Sequence, residues 1–143
     1  RDAPSRALMA ALVVPYAAHL RTPEGRDYLR IVAQLTTRFS EWRNERPGTG
    51  PCLREILSIL EQRPTHVPPA VRSERVVEVI VLMTTAMALR ARAIESGHPL
   101  DLDEDTFVAN LTDVLVAILE APLNDPPAAD LRIARGGTSP SSP

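Results

Sequence analysis

Between Val79 and Leu89 the chain carries no charged residue, and the stretch around this run, from Pro68 to Gly97, is apolar on nearly every side of a helix. A helix of that kind must be covered on more than one side. At ~1.5 Å per residue the uncharged run spans roughly 16 Å, about half the hydrocarbon thickness of a bilayer, and Glu78 and Arg90 close it at its two ends. It therefore belongs in a protein core, and no membrane partner is expected. The other helices are too few and too short to cover all its faces, so a second copy of the chain is expected to supply the missing cover.

Size and charge narrow the classes further. At 143 residues the chain fits one domain, large enough to bury roughly two thirds of its unfolded surface. The sixteen basic residues, all arginine, are scattered from Arg1 to Arg135 among eighteen acids, for a net charge of −2. Such a surface offers no electrostatic footprint for nucleic acid. The single cysteine, Cys52, excludes an internal disulfide framework and fits a reducing cytosol. The opening Arg1-Asp2-Ala3-Pro4 has neither Met nor an apolar leader, and we read the chain as part of a longer, cytoplasmic protein.

Proline and glycine punctuate five helices. The first runs from about Ser5 to Leu20, with Leu8, Leu12, Tyr16 and Leu20 on one face. Pro15 cannot donate to the Ala11 carbonyl and should kink it. The second opens with Thr22 as N-cap and Pro23 at the first helical position, and its stripe reads Tyr28, Val32, Leu35, Phe39 and Trp42. After the loop Pro47-Gly48-Thr49-Gly50-Pro51, a short third helix sets Leu53, Ile56, Leu57 and Leu60 on one face and stops before Pro64. The fourth begins near Pro68-Pro69 and ends at Gly97, a left-handed stop, with Pro99 beyond it. Asp103 caps the fifth, Glu104 and Asp105 complement its dipole, and Leu102 is placed to staple onto Phe107. Its stripe is Phe107, Leu111, Val114, Leu115 and Ile118, and Pro122 ends it. Residues 5–121 thus form one all-α domain, while residues 122–143, rich in Pro, Ser and Gly, have too little apolar surface to offset chain entropy and are expected to be disordered.

Groupings that carry chemistry are scarce. Cys52 follows Pro51 at a helix start, a position that lowers a thiol pKa, but no local His or acid motif accompanies it. His19, His66 and His98 lie on separate segments without i, i+4 partners, so no metal is expected. The acids Asp101, Asp103, Glu104 and Asp105 lack the glycine and the distant glutamate of a calcium loop, and capping explains them. With neither a glycine-rich phosphate loop nor a serine-centred elbow, no enzyme and no cofactor are expected. The aromatic residues say more. Tyr16, Tyr28, Phe39 and Trp42 gather on the first two helices. They are either ordinary core or, with Met9, Val13, Val32, Leu57 and Leu60, the wall of a cavity for an apolar small molecule.

The order of segments resembles the C-terminal domain of tetracycline-repressor-type (TetR) regulators. The resemblance runs from Ala11-Leu12-Val13-Val14-Pro15 through Pro23-Glu24-Gly25-Arg26-Asp27-Tyr28-Leu29-Arg30-Ile31-Val32-Ala33-Gln34-Leu35 and Leu53-Arg54-Glu55-Ile56-Leu57. It continues through Val67-Pro68-Pro69-Ala70-Val71-Arg72 to Phe107-Val108-Ala109-Asn110-Leu111-Thr112-Asp113, and so covers roughly Ala7 to Pro122. It implies an orthogonal helical bundle of about five helices whose last two join those of a second copy in a four-helix dimer interface. Val79, Leu82, Met83, Ala86, Phe107, Leu111, Val114, Leu115 and Ile118 are then the candidate interface residues. It further implies a small apolar effector bound in the Tyr16, Phe39 and Leu57 neighbourhood, and DNA operator binding only through an N-terminal helix-turn-helix that these residues do not include. The alternatives are a helical carrier of apolar small molecules and a purely structural dimerisation module.

Overall fold

The computed structural model describes residues 4–36 and 50–124, and these contain five α-helices and no strand. They are α1 (Ser5–Ala17), α2 (Pro23–Leu35), α3 (Pro51–Gln62), α4 (Pro69–Glu95) and α5 (Glu104–Glu120), with a 3-10 turn at Ala18–Arg21 between α1 and α2. The helices form an orthogonal bundle in which α2, α3 and α5 all pack on α4, and α1 closes the other side against α3 and α5. No described helix is long and apolar enough to cross a membrane.

Local chemistry sets the helix ends. The Gly25 N–H donates to the Thr22 side chain at 3.0 Å, and Pro23 fills the first turn of α2. At the end of α4, Gly97 adopts a positive φ of 65°. Its N–H reaches the Ile94 carbonyl at 3.2 Å and the His98 N–H reaches the Ala93 carbonyl at 2.9 Å, the paired bonds of a Schellman stop. Asp103 caps α5 by accepting from the Thr106 N–H at 2.7 Å. Pro15 lies inside α1 and leaves the Ala11 carbonyl without its i→i−4 donor; two residues later α1 gives way to the 3-10 turn.

Which faces are buried differs from the expected stripes. On α1 the core row is Met9, Leu12, Val13 and Ala17, continued by Leu20 in the turn, with Leu8 and Tyr16 on its flank. On α2 the expected stripe is corrected: Tyr28 and Leu35 are exposed, as is Ile31, and the buried positions are Gly25, Leu29 and Thr36. Small residues let α2 lie close against its neighbours. The Thr36 and Thr84 hydroxyls meet at 3.2 Å, and Arg30 reaches Glu95 of α4 at 2.5 Å. Phe39 and Trp42, the other members of that stripe, lie outside the described residues.

Two arginines fasten α5 antiparallel to α4. Arg75, only 8% exposed, donates to the Leu119 and Ala121 carbonyls at 3.1 and 2.5 Å. Arg90, roughly 22 Å further along α4, donates to the Leu102 carbonyl at 2.6 Å and lies 4.8 Å from the centre of the Phe107 ring.

Candidate functional site

The residues expected to line a cavity divide into three groups. Met9, Val13, Leu57 and Leu60 meet in the central core and are 0, 0, 0 and 1% accessible. A void able to hold even one water would give its lining residues accessible surface, so these four are packing in this conformation. Tyr16 and Val32 are half-buried, Tyr16 against the core. Phe39 and Trp42 lie outside the described residues.

Tyr16 belongs instead to a small aromatic group at the α1–α2 junction. Its ring meets those of His19 and Tyr28 edge-on at 6.2 and 6.4 Å, and His19 and Tyr28 lie 4.7 Å apart. The Tyr16 hydroxyl is buried without a hydrogen-bond partner among the described residues. Burial, and to a lesser degree Tyr28, pushes its pKa up from the ordinary tyrosine value, because ionisation would strand a charge away from water.

Two hollows among the described residues lie elsewhere. One is a groove of about 250 Å³ between α1 and the first half of α5, with Ala10, Val14, Ala17, Val108 and Ala109 among its walls. Ion pairs cross between the same helices and their flanking turn: Arg6 to Asp113 at 2.7 Å and Arg21 to Glu104 at 2.9 Å. The other, of about 450 Å³, sits at the α4–α5 corner. Leu20, Ile94, Leu100 and Leu102 supply its apolar wall, and Arg90, Asp103 and Glu104 its charged one. Asp103 is held below the ordinary carboxylate range, first by the Thr106 N–H, then by the Thr106 side chain and more weakly by Arg90. None of the described residues expected to bind a ligand, Met9, Val13, Tyr16, Val32, Leu57 and Leu60, lines either hollow.

The expected interface residues also divide. Val79, Met83, Leu111 and Leu115 are buried within the single chain. The packing of the bundle itself already covers these four, which expose almost no surface to a second copy. Leu82, Ala86, Phe107 and Ile118 are half-buried, and Val114 is 40% exposed. Val81 and Leu89, 39 and 58% exposed on α4, were missed by stripe reading because they fall on the face opposite the core row.

Cys52 is exposed and free at the start of α3. Among the described residues no three His, Cys, Asp or Glu side chains come together as a metal site. Compared with models of known families, with curated proteins and with solved structures, the chain matches none.

Proposed function

We propose that this chain is the ligand-sensing and dimerisation domain of a TetR-like transcriptional regulator. In this reading it is a cytoplasmic homodimer whose operator contact is made by a helix-turn-helix outside these residues, and a small apolar effector releases the operator. The observation that carries the reading is the outward face of the α4–α5 pair. After α1, α2 and α3 have covered the rest, Val81, Leu82 and Leu89 on α4 and Phe107, Val114 and Ile118 on α5 keep apolar surface. At 100° per residue the first three fall within about 100° of arc and the last three within about 40°.

A second copy suits this face better than a dissimilar partner does. A two-fold axis through Thr85 sets the exposed Glu78 of one copy opposite the exposed Arg92 of the other, so the charges flanking the apolar strip become self-complementary. Four helices then meet at the interface. Effector binding would act on the operator by favouring one spacing of the two reading heads, provided its affinity differs between the two states.

Light scattering tests the dimer. The wild-type chain should have twice the monomer mass at micromolar concentration, and Val114→Arg or Leu89→Arg should halve it without loss of helicity, because both side chains are accessible in the protomer. A monomeric wild type would refute the dimer. With the longer protein, a gel shift should reveal a near-palindromic operator with half-sites about one helical turn apart; absence of any operator would refute the regulator.

A further inference from the structure

We propose that the hollow at the α4–α5 corner is a binding site for an apolar carboxylic acid, whose chain lies along Leu100, Leu102, Ile94 and Leu20 and whose carboxylate meets Arg90. This deepens the sensor reading by giving the effector a place and a class. Its size, about 450 Å³, lies within the roughly 300–1,000 Å³ of small-molecule sites. Four aliphatic side chains line it, and two of them, Leu100 and Leu102, are exposed large hydrophobics on the eight-residue stretch between α4 and α5.

Charge selects the head group. Of the three ionised residues in the wall, Glu104 is paired with Arg21 at 2.9 Å, and Asp103 is engaged by the Thr106 N–H at 2.7 Å. Arg90 forms no ion pair among the described residues, and Asp103 stays beyond ion-pair distance from it. Its guanidinium is held by the Leu102 carbonyl and by the Phe107 ring, which uses one of its five N–H donors. A fixed arginine that no carboxylate among the described residues reaches at ion-pair distance, beside an aliphatic wall, selects a carboxylate, the group that matches the guanidinium fork. The site also touches Leu20, in the turn joining α1 to α2, and both helices of the proposed interface. A ligand there bears on the turn between α1 and α2 and on the α4–α5 pair together.

Calorimetric titration of the 143-residue chain with octanoate, hexanoate, 1-octanol and octylamine tests the proposal. Octanoate should bind at least tenfold more tightly than the alcohol or the amine. Its affinity should exceed that of hexanoate by about fourfold per methylene. Arg90→Gln should weaken octanoate about tenfold and leave octanol unchanged. Because Arg90 also holds α5 in place, Leu100→Glu serves as a second variant: it sets a carboxylate at the exposed mouth and should repel octanoate while the circular dichroism is unchanged. Equal affinity for acid and alcohol, octanoate binding that neither variant weakens, or no octanoate binding below millimolar concentration would each overturn the proposal. A monomeric chain that binds octanoate would refute the dimer and keep this site, whereas a dimer without octanoate affinity would do the reverse.

Discussion

Replacing Gly25 by Ala opposes helix propensity to packing, and the structure says which prevails. In a helix interior Ala is favoured over Gly by about 1 kcal/mol, so propensity alone predicts a stabilised protein. Yet a Cβ built on Gly25 stands 2.9 Å from the carbonyl carbon and from the Cα of His19, and closer still to the His19 oxygen. These are backbone atoms of the 3-10 turn and cannot rotate away, so α2 must retreat as a body. Its retreat strains the Thr22 cap on the Gly25 N–H and the 3.0 Å bond from Arg26 to the Leu20 carbonyl. Overpacking of this kind costs about 2–3 kcal/mol, and the two weakened hydrogen bonds add about 1 kcal/mol between them. Net of the propensity gain, the variant should lose about 2–3 kcal/mol. At ~4 °C per kcal/mol for a chain of this length, the melting temperature should fall by about 10 °C. Gly50→Ala is the control: nothing lies within 4 Å of its added Cβ, and the exchange at the N-cap of α3 should cost no more than about 1 kcal/mol. Urea unfolding followed by circular dichroism reads both. A Gly25→Ala midpoint equal to or above the wild type's would refute the close approach of α2 to the turn.

Three further outcomes follow from the same geometry. The raised pKa of Tyr16 means that the folded state holds this proton more tightly than the unfolded chain, so stability should be level below the unfolded value of 10.0 and fall as pH rises past it. Tyr16→Phe should flatten that alkaline loss and be no less stable at neutral pH, since the hydroxyl it removes has no partner among the described residues; urea midpoints at pH 7 and above pH 10 check both. Asp103, whose pKa is lowered in the fold, should contribute stability above its unfolded value of 3.8 that is lost as pH falls through the folded one. Asp103→Asn, which keeps a capping acceptor, should therefore show a shallower acid limb, and superimposable limbs would contradict the cap. Arg75→Met, which strips the buried donor from the Leu119 and Ala121 carbonyls, should cost about 2–3 kcal/mol by chemical denaturation, and a loss below ~0.5 kcal/mol would show that water replaces the arginine.

What was legible in the residues was whatever is decided within a turn or two of chain. Thr22 with Pro23, Asp103, and Gly97 ahead of Pro99 place helix ends because caps act on neighbouring N–H and C=O groups, and the structure has those ends where the caps require them. An all-α chain of five helices was likewise readable from apolar spacing. The rotation of each helix about its own axis was not. On α2 the stripe of Tyr28, Val32 and Leu35 suggested the inward face, but Tyr28 and Leu35 are exposed and Gly25, Leu29 and Thr36 are buried, the small residues permitting the approach to the 3-10 turn and to α4. On α4 and α5 the residues read as facing a second copy, Val79, Met83, Leu111 and Leu115, are instead covered by helices distant in sequence. The corner hollow depends on Leu20 meeting Leu100 and Leu102 from far along the chain, and the buried charge of Arg75 finds its acceptors on another helix. Sequence alone determined where helices start and stop, since capping and periodicity are local interactions. The tertiary structure decided which face is core, which is free and where a cavity is left, because those depend on which distant surfaces fit closely enough to exclude water.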